Sequence, residues 1–326
     1  MAGTGVGGPR IAVMGSGGVG GYFGGRLAAA GYDVSFIARG AHLDALQRRG
    51  LVIESPLGGA AIAPVHAFDD TARIGLVDVV LFATKLYDVA SAGRMCRALI
   101  GPDTVVVSFL NGIDSEDTLI EILGAQHVAG GVARISASIA TPGVIAHHGN
   151  FASLEFGELD GRDSPRLTAL LAACERAGIK ARIDADIVAA IWKKFIFLAS
   201  FAAITALTRC ALGPIRRTPQ TFALLERAIE EAAAVGQARG VRLGEDPSAA
   251  AMQVVHGVGD GIKASMLVDL ERGRRLELRS LSGAVVRLGR ELGVATPVHE
   301  FALAALLPYV DGAPDALAER RIDAAP

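Results

Sequence analysis

The sequence predicts an α/β fold in which a parallel sheet with flanking helices, in residues 1–184, is followed by an all-helical domain in residues 185–326. Three observations support this order. A glycine-rich turn stands between an apolar run and a helical segment near the N-terminus, and further apolar runs follow it, each ending in polar residues. From Ser164 onward the pattern is helical. We therefore expect two domains with a cleft between them as the default active site.

The segment from Ile11 to Arg39 is the most informative part of the chain. Ile11–Met14 is typical of a short buried strand, and the six residues after it carry glycine at the first, third and sixth places. Residues 22–30 have a helical pattern, and Val34–Ile37 is typical of a second strand. The glycine motif thus stands inside a β-α-β unit, which is the context that a Rossmann-type dinucleotide-binding domain requires.

The three motif glycines have different tasks. Gly15 permits the tight turn, Gly17 lets a pyrophosphate approach the backbone, and Gly20 lets the helix pack closely on the strand. The helix N-terminus then presents its unpaired N–H groups to the phosphates. The residues of this turn that are predicted to bind the cofactor are Gly15, Ser16, Gly17, Gly18, Val19 and Gly20. A glycine-rich turn without a ligand is the alternative.

The end of the second predicted strand indicates which dinucleotide binds. NAD-binding proteins place an acid about 20 residues beyond the motif, where it contacts the ribose hydroxyl. This chain has Ala38 and Arg39 there. Arg39 can make a paired contact with a 2′-phosphate, so the sequence predicts NADP(H) rather than NAD(H). A surface arginine without a ligand is the alternative.

Further apolar runs predict the rest of the sheet. Residues 51–65 suggest a hairpin, and the parallel pattern resumes in residues 77–83 and 104–109, which end just before Lys85 and Asn111. Because ligands bind at the carboxyl ends of such strands, we expect Lys85 and Asn111 to lie beside the glycine turn. Taken singly, each fits a solvated loop lysine or a turn asparagine equally well. Three more predicted strands complete the domain, in residues 128–139, 144–147 and 153–156.

Composition narrows the classes of partner. The chain has 326 residues and a formal net charge of −2, so it has no basic field to attract nucleic acid or an anionic membrane. Its three cysteines lack paired or metal-ligand spacing, which favours a reducing compartment and argues against disulfides and zinc. The glycine-rich residues 1–10 lack a signal-peptide pattern and are expected to be a flexible lead-in. We expect a cytoplasmic protein with a small-molecule partner.

Helical patterns dominate the second half of the chain, and we place the domain junction near Ala185. The predicted helices cover residues 165–177, 185–207, 219–239, 249–270 and 276–292. The apolar run in residues 195–207 is shorter than the ~20 residues of a membrane span, so we interpret it as a core helix. The pair His147 and His148 follows a Pro-Gly turn and is expected to be structural. The apolar helices are compatible with a homodimer without requiring one, and the tail from Asp311 is expected to be partly disordered.

Two adjacent lysines stand at the start of an otherwise apolar helical stretch. Either Lys193 or Lys194 is therefore expected to be partly desolvated, which lowers the pKa of its ammonium toward the range where it donates a proton readily. Reduction of a ketone needs such a donor, because a proton must reach the developing alkoxide as hydride arrives at carbon. Equally, the two lysines fit a solvated start of a core helix.

Several separate motifs, in the same order, make the chain resemble the ketopantoate reductase (2-dehydropantoate 2-reductase) family. The resemblance extends from the glycine turn almost to the C-terminus. It implies NADPH-dependent reduction of a branched 2-oxo acid to its 2-hydroxy acid, with 2-dehydropantoate (ketopantoate) and pantothenate biosynthesis as the leading assignment. The motifs that carry the resemblance are residues 15–20, 36–39, 84–85, 111–112, 131–137, 192–195, 205–207, 265–267, Asp269 and Glu277.

The resemblance also implies roles for individual residues. It selects Lys194 over Lys193 as the proton donor and places Asn111 against both cofactor and substrate. It adds Ala137 to the cofactor-binding residues and has Ser265 and Glu277 complete the pocket near substrate and ribose. Without the resemblance, Ser265 would be a helix-capping or turn serine and Glu277 an exposed helix charge.

Two positions depart from the family pattern and bear on the substrate. The family usually carries asparagines four and eight residues after the catalytic lysine, where this chain has Leu198 and Ala202. This spacing puts both on the face of the helix that carries the lysine. Aliphatic side chains cannot donate hydrogen bonds to the substrate, and each lost bond to a charged group costs ~1.5–3 kcal/mol. Leu110, where the family commonly has glutamine, is a lesser departure in the same direction.

Two alternatives to ketopantoate reduction follow. In the first, the fold and chemistry are kept but the substrate is a more apolar oxo acid or a 3-hydroxyacyl-type compound, which suits Leu198 and Ala202. In the second, the protein is a non-catalytic NADPH-binding sensor. A retained proton donor at Lys194 speaks against the sensor, and measured turnover of any 2-oxo acid would exclude it.

Overall fold

The computed structural model of the protein describes residues 7–314, which form two compact units. The first unit runs to Leu110 and resumes over Ser115–Ala190, and the second comprises Asn111–Asp114 and the chain from Ile191 onward. Most of the expected N-terminal lead-in and of the expected C-terminal tail lies outside the described residues.

The first unit is built on one mixed sheet. Its strands are β1 (Ile11–Met14), β2 (Val34–Ile37), β3 (Leu51–Glu54), β4 (Ala60–Ile62), β5 (His66–Phe68), β6 (Val77–Phe82), β7 (Ile100–Ser108), β8 (Val128–Thr141), β9 (Val144–Glu158) and β10 (Lys180–Ile183). Their order in the sheet is β4-β3-β9-β8-β7-β6-β1-β2-β5, and β10 pairs with β9. The six strands β5, β2, β1, β6, β7 and β8 run parallel to one another, whereas β8 and β9 form an antiparallel hairpin.

Helices cover this sheet and pack on it closely. They are α1 (Gly18–Ala29), α2 (Gly40–Arg49), α3 (Val89–Cys96), α4 (Ser115–Leu123) and α5 (Pro165–Arg176). A Cβ at Gly24 would lie 2.5 Å from a methyl group of Val13, and one at Gly25 would lie 2.7 Å from a methyl group of Ile53. The glycines of α1 therefore bring the helix against the strands, and the predicted Rossmann-type fold is confirmed.

The second unit is helical, as predicted. Its helices are α6 (Ile187–Thr208), α7 (Leu212–Arg217), α8 (Pro219–Ala238), α9 (Pro247–Gly257), α10 (Ser265–Glu271), α11 (Ser282–Leu292) and α12 (Pro297–Leu306). The first four residues of α6 belong to the first unit. Among residues 7–314, α6 alone has the length and hydropathy of a membrane span, but 72% of its most apolar window is buried. The hydroxyls of Ser200 and Thr205 donate to carbonyls one turn earlier in α6, so this helix can lie in a protein core.

One local prediction that was wrong concerns strand β9. The predicted strands 144–147 and 153–156 form one strand, β9, because pairing with β8 continues as far as His148 and resumes at Ala152 after a shift in register. His147 and His148 therefore lie on a strand. His147 is buried, with Nδ1 2.8 Å from the Ser55 hydroxyl and Nε2 3.0 Å from the Phe151 carbonyl oxygen, which is a structural role.

The second difference concerns the C-terminal helices. The predicted helix 249–270 is two helices, α9 and α10, because Gly259 and Gly261 in the segment between them weaken helical structure. The predicted helix 276–292 is shortened to α11, and Glu277 stands in the turn before it.

Candidate active site

The ends of four parallel strands are aligned at one edge of the sheet. The register pairs Met14 of β1 with Ile37 of β2 on one side and with Phe82 of β6 on the other. Phe82 in turn pairs with Ser108 of β7. The glycine turn follows β1 directly, Arg39 follows β2, and Lys85 follows β6. This is the edge at which open parallel sheets bind ligands.

The glycine turn has the shape of a phosphate cradle. Gly15 has φ +97°, and a Cβ there would lie 2.7 Å from the Ala83 carbonyl oxygen, so only glycine fits without strain. A Cβ at Gly18 would overlap the carbonyl group of Ala137 on β8, and one at Gly20 would overlap the Gly15 carbonyl oxygen. At Gly17, the N-cap residue of α1, a Cβ would meet nothing within 4 Å. The open space beside Gly17 and the uncapped helix N-terminus fit a pyrophosphate.

The other residues of the turn anchor it to the sheet. Ser16 is buried, and its backbone N–H and its hydroxyl both donate to the Ile37 carbonyl oxygen, at 3.1 and 2.9 Å. Val19 is half-buried and packs against the core of the first unit. The side chains of Ser16 and Val19 are therefore directed toward the sheet and the core, and the backbone of the turn is left to face a ligand.

Arg39 and Lys85 stand at the same edge. Arg39 is exposed at the N-cap of α2, and its Nη2 lies 3.9 Å from the Met95 sulfur. Residues 38–42 contain no acid that would repel a 2′-phosphate. Lys85 is half-buried and begins the short helical turn Leu86–Asp88. The edge thus carries two cations beside the glycine turn.

A second group of candidate residues lies in the helical unit. Lys194 on α6 is half-buried, and its Nζ donates a hydrogen bond of 2.8 Å to Oδ1 of Asn111. Asn111 is 83 residues away in the chain and belongs to the short segment Asn111–Asp114 that packs with the helical unit. Lys193, next to Lys194, is exposed. The structure therefore distinguishes the two lysines: Lys194 is the one held by a polar partner away from bulk solvent.

The Asn111–Asp114 segment is fixed at both ends. At its far end Asp114 forms an ion pair of 2.7 Å with Arg287 of α11. Burial lowers the pKa of Arg287, but its hydrogen bonds and charge contacts with Asp114 and Glu291 outweigh burial and leave that pKa raised. The segment is thus attached to α6 through Asn111 and to α11 through Asp114.

A buried hydrogen-bond chain closes the base of the same loop in the first unit. The Ser108 hydroxyl donates to the Ser115 hydroxyl at 3.1 Å, which donates to Oε2 of Glu116 at 3.0 Å. Burial raises the pKa of Glu116 to about 7 against the smaller opposite effects of these hydrogen bonds. Ser108 and Ser115 flank the six residues that include Asn111, so the chain holds the two ends of this loop together. No pattern of residue type or spacing indicated this network.

The remaining candidate residues differ in exposure. Leu198, one turn after Lys194, is half-buried, and Ala202, two turns after it, is 2% exposed. Ser265 is exposed as the first residue of α10, whose N-cap is Ala264, so it is not a capping serine. Glu277 is half-buried, and its carbonyl oxygen accepts hydrogen bonds from the Ser280 and Leu281 amides. The hydrogen bond from Lys194 to Asn111 joins two of the candidate residues.

Comparison with known proteins gives consistent matches over nearly the whole chain. The family model described as ketopantoate reductase PanE/ApbA matches residues 11–161, and the model of its C-terminal domain matches residues 186–309. A 2-dehydropantoate 2-reductase of Mesorhizobium japonicum is 35% identical, over 90% of this chain and 96% of the relative. An uncharacterized oxidoreductase of Bacillus subtilis is 32% identical, over 92% of this chain and 98% of the relative.

Solved structures agree with the sequence matches. The crystal structure of a PanE/ApbA family ketopantoate reductase from Ralstonia eutropha has a TM-score of 0.84 and 32% identity, and covers 92% of this chain and 98% of that chain. A 2-dehydropantoate 2-reductase from Geobacter metallireducens has a TM-score of 0.84 and 27% identity, with 91% and 98% coverage. The chain therefore belongs to the ketopantoate reductase family and is a dinucleotide-dependent oxidoreductase.

Proposed function

We propose that the protein catalyses the NADPH-dependent reduction of a branched 2-oxo acid to its 2-hydroxy acid, with 2-dehydropantoate as the leading substrate. The observation that carries this proposal is the hydrogen bond between Lys194 Nζ and Asn111 Oδ1, which orients a half-buried ammonium group. The names of relatives such as the Mesorhizobium japonicum enzyme support the same reaction. In this proposal residues 185–326 form the substrate domain.

The cofactor-binding residues of the proposal lie at the carboxyl edge of the sheet. The backbone of residues 15–20 would hold the pyrophosphate, and Arg39 the 2′-phosphate, since Arg39 is exposed there with no competing acid in residues 38–42. We assign Lys85, Ala137 and Asn111 to the same cofactor. When bound, NADPH supplies the hydride of the reaction.

The catalytic step of the proposal concerns a proton. Lys194 donates it from its ammonium group to the substrate's carbonyl oxygen as negative charge develops there. The Asn111 amide oxygen accepts from Nζ at 2.8 Å, so it uses one of the three ammonium donors to fix the direction of the others. Ser265 and Glu277 are proposed to complete the substrate pocket.

Leu198 and Ala202 support a second candidate substrate within the same reaction class. Both stand on the Lys194 face of α6, and neither can donate a hydrogen bond to a substrate hydroxyl or carboxylate. Ala202 is 2% exposed, whereas Leu198 is half-buried, so of the two it is Leu198 that offers an accessible apolar surface. A 2-oxo acid with an aliphatic side chain suits such a surface better than ketopantoate, whose hydroxyl would lose a partner there.

The test is NADPH oxidation with purified protein and a panel of 2-oxo acids that differ in side-chain polarity. Each acid is titrated for kcat/KM, with ketopantoate beside 4-methyl-2-oxopentanoate. The proposal predicts turnover of at least one of them. A wide lead for ketopantoate supports the leading assignment, and a lead for the aliphatic acid supports the second candidate. No turnover with any 2-oxo acid would contradict both.

The choice of cofactor has its own test. NADPH and NADH are compared as reductants in the wild type and in Arg39→Ala. The wild type should prefer NADPH, and the variant should lose that preference by raising KM for NADPH with little change for NADH. Arg48→Ala, an exposed arginine later in α2, is the matched control. A wild-type preference for NADH that Arg39→Ala leaves unaltered would contradict the assignment.

A further inference from the structure

One histidine connects the glycine turn to a distant part of the sheet. His42 is half-buried in the first turn of α2, and its Nε2 lies 2.9 Å from the Ser16 carbonyl oxygen. On its other side, the Gly143 backbone N–H donates to Nδ1 at 3.1 Å. Gly143 has φ +87° in the turn that joins β8 to β9. The imidazole therefore bridges two backbone groups that are remote in the sequence.

These two partners fix the protonation state of the ring. A backbone N–H can only donate, so Nδ1 must be unprotonated, and a carbonyl oxygen can only accept, so Nε2 must carry the hydrogen. His42 is thus neutral with the proton on Nε2. Burial lowers the pKa of His42, while the bond to Ser16 acts more weakly in the opposite direction.

The bond to Ser16 determines where the next amide points. In a planar trans peptide the carbonyl group and the following N–H point in opposite directions. A fixed Ser16 carbonyl therefore directs the Gly17 N–H away from His42. The Ser16 amide and hydroxyl are already held by the Ile37 carbonyl oxygen, so the His42 bond completes the anchoring of this residue. The fixed amide belongs to Gly17, beside which a Cβ would meet nothing within 4 Å.

We propose that His42 is a positioning residue for the cofactor pyrophosphate: it holds the Ser16 peptide so that the Gly17 amide faces the diphosphate. The inference rests on the proposed function for the identity of the cofactor. The inference goes beyond the proposed function because it assigns a role to a residue that touches neither substrate nor cofactor.

Three substitutions at His42 distinguish the contribution of its hydrogen bond to Ser16 from that of its hydrogen bond to Gly143. Gln at position 42 can place an amide oxygen near Nδ1 and an amide nitrogen near Nε2, so His42→Gln keeps both bonds in a side chain that does not titrate. Asn reaches only the Nδ1 position, so His42→Asn keeps the Gly143 bond and loses the Ser16 bond. His42→Leu keeps the approximate volume and loses both. His66→Leu, at an exposed histidine of β5, is the matched control.

The measurement is the Kd for NADPH by fluorescence titration, together with kcat at saturating NADPH. We expect His42→Leu and His42→Asn to raise the Kd by about tenfold, as loss of one oriented hydrogen bond would, and His42→Gln to stay within about threefold of the wild type. Because His42 does not contact the reacting atoms, kcat should change by less than about twofold in all three variants. The Kd for 2′-AMP, which has a 2′-phosphate but no pyrophosphate, should stay unchanged in His42→Asn.

The outcomes are distinct from those that test the reaction itself. NADPH binding is measured without turnover, so a failure to reduce any 2-oxo acid would leave this result interpretable. Wild-type NADPH affinity in His42→Asn would overturn the role of the Ser16 bond. Equal weakening of NADPH and 2′-AMP would overturn the pyrophosphate assignment, since it would indicate a general disturbance of α2. If His42→Leu does not fold, the comparison of His42→Asn with His42→Gln decides alone.

Discussion

The substitution Leu198→Asn tests whether the substrate preference is set on the Lys194 face of α6. Leu198 is half-buried one turn after Lys194, at the first of the two positions where the family usually carries asparagine. Asparagine and leucine have similar lengths, so the substitution fits with little repacking. Ala202→Asn is the poorer choice, because Ala202 is 2% exposed and the added atoms would overpack that position at a cost of ~1–3 kcal/mol.

The expected magnitude follows from the hydrogen bond that the introduced asparagine would donate to a polar substrate group. A hydrogen bond to a charged group contributes ~1.5–3 kcal/mol, which corresponds to roughly a tenfold to a hundredfold change in affinity. We expect Leu198→Asn to raise kcat/KM for ketopantoate by about tenfold or more. The same variant should lower kcat/KM for 4-methyl-2-oxopentanoate, because it loses apolar contact area and buries an amide without a partner.

The assay is NADPH oxidation with both acids in the wild type, Leu198→Asn and the control Leu198→Ala. The alanine variant removes the aliphatic side chain and makes room without adding a donor, so it shows what space alone contributes to ketopantoate turnover. If Leu198→Ala improves ketopantoate turnover as much as Leu198→Asn does, the gain comes from space. In that case the hydrogen-bond explanation of substrate preference would be refuted.

Three further predictions concern stability. Glu116 has its pKa raised to about 7, so between pH 4.5 and 7 the folded state binds a proton that the unfolded chain has released, and the free energy of unfolding falls as pH rises through this window. Glu116→Gln should remove roughly 3 kcal/mol of that fall, measured by urea unfolding at pH 5 and 8. Glu231→Ala should lower the free energy of unfolding by ~2–3 kcal/mol, because Glu231 accepts from the Val298 and His299 amides at the start of α12. Gly18→Ala should weaken NADPH binding and lower Tm, because the added methyl group overlaps the Ala137 carbonyl group.

Each of these predictions has a contradicting result. Parallel pH profiles for the wild type and Glu116→Gln would show that Glu116 does not bind the extra proton. A loss in Glu230→Ala, at an exposed neighbour, equal to that in Glu231→Ala would show that the capping hydrogen bonds contribute nothing. Unchanged NADPH affinity and Tm in Gly18→Ala would show that β8 can withdraw from the turn without cost.

Local patterns were sufficient to predict β1, β2, β6 and β7 of the parallel part of the sheet, whereas the three-residue strand β5 was not predicted. β1, β2 and β6 are short apolar runs with polar ends, and the glycine motif identified the unit that they form. The predicted start of α1 was four residues late, since Gly18 and Gly20 suggest a turn by composition. In the structure they lie in the first helical turn, where β8 and the Gly15 backbone leave no room for a side chain, so both positions require glycine. That constraint is tertiary and has no local signal.

Strand β9 was predicted as two strands for a similar reason. His148, Gly149 and Asn150 have the composition of a loop. The long pairing of β9 with β8 keeps this segment in the sheet, with a register shift where the pairing is irregular. A long-range partner therefore overrode the local preference, as is common for strands. The break between α9 and α10, by contrast, has a local signal in Gly259 and Gly261, which the prediction of one helix over residues 249–270 overlooked.

In the candidate site, too, some residues have a local sequence signal, whereas the contacts between them do not. Lys194 and Asn111 follow recognisable patterns, an apolar helix with paired lysines and a strand followed by Asn-Gly. Their hydrogen bond spans 83 residues, and the sequence alone could not choose Lys194 over Lys193 without the family resemblance. His42 was missed altogether, because both of its partners are backbone groups, 26 and 101 residues away. Contacts of this kind leave no trace in residue type or spacing.

The most direct test of the proposed reaction is the rate of 2-oxo acid reduction in Lys194→Ala, with Lys193→Ala as the matched control. kcat is measured with the best substrate of the panel, and the Kd for NADPH is measured by titration in the same preparations. Loss of a positioned proton donor predicts a fall in kcat of ~10²–10⁴-fold for Lys194→Ala with the Kd for NADPH unchanged, and near-wild-type values for Lys193→Ala. A Lys194→Ala variant that keeps near-normal kcat would contradict the assignment of Lys194 as the proton donor.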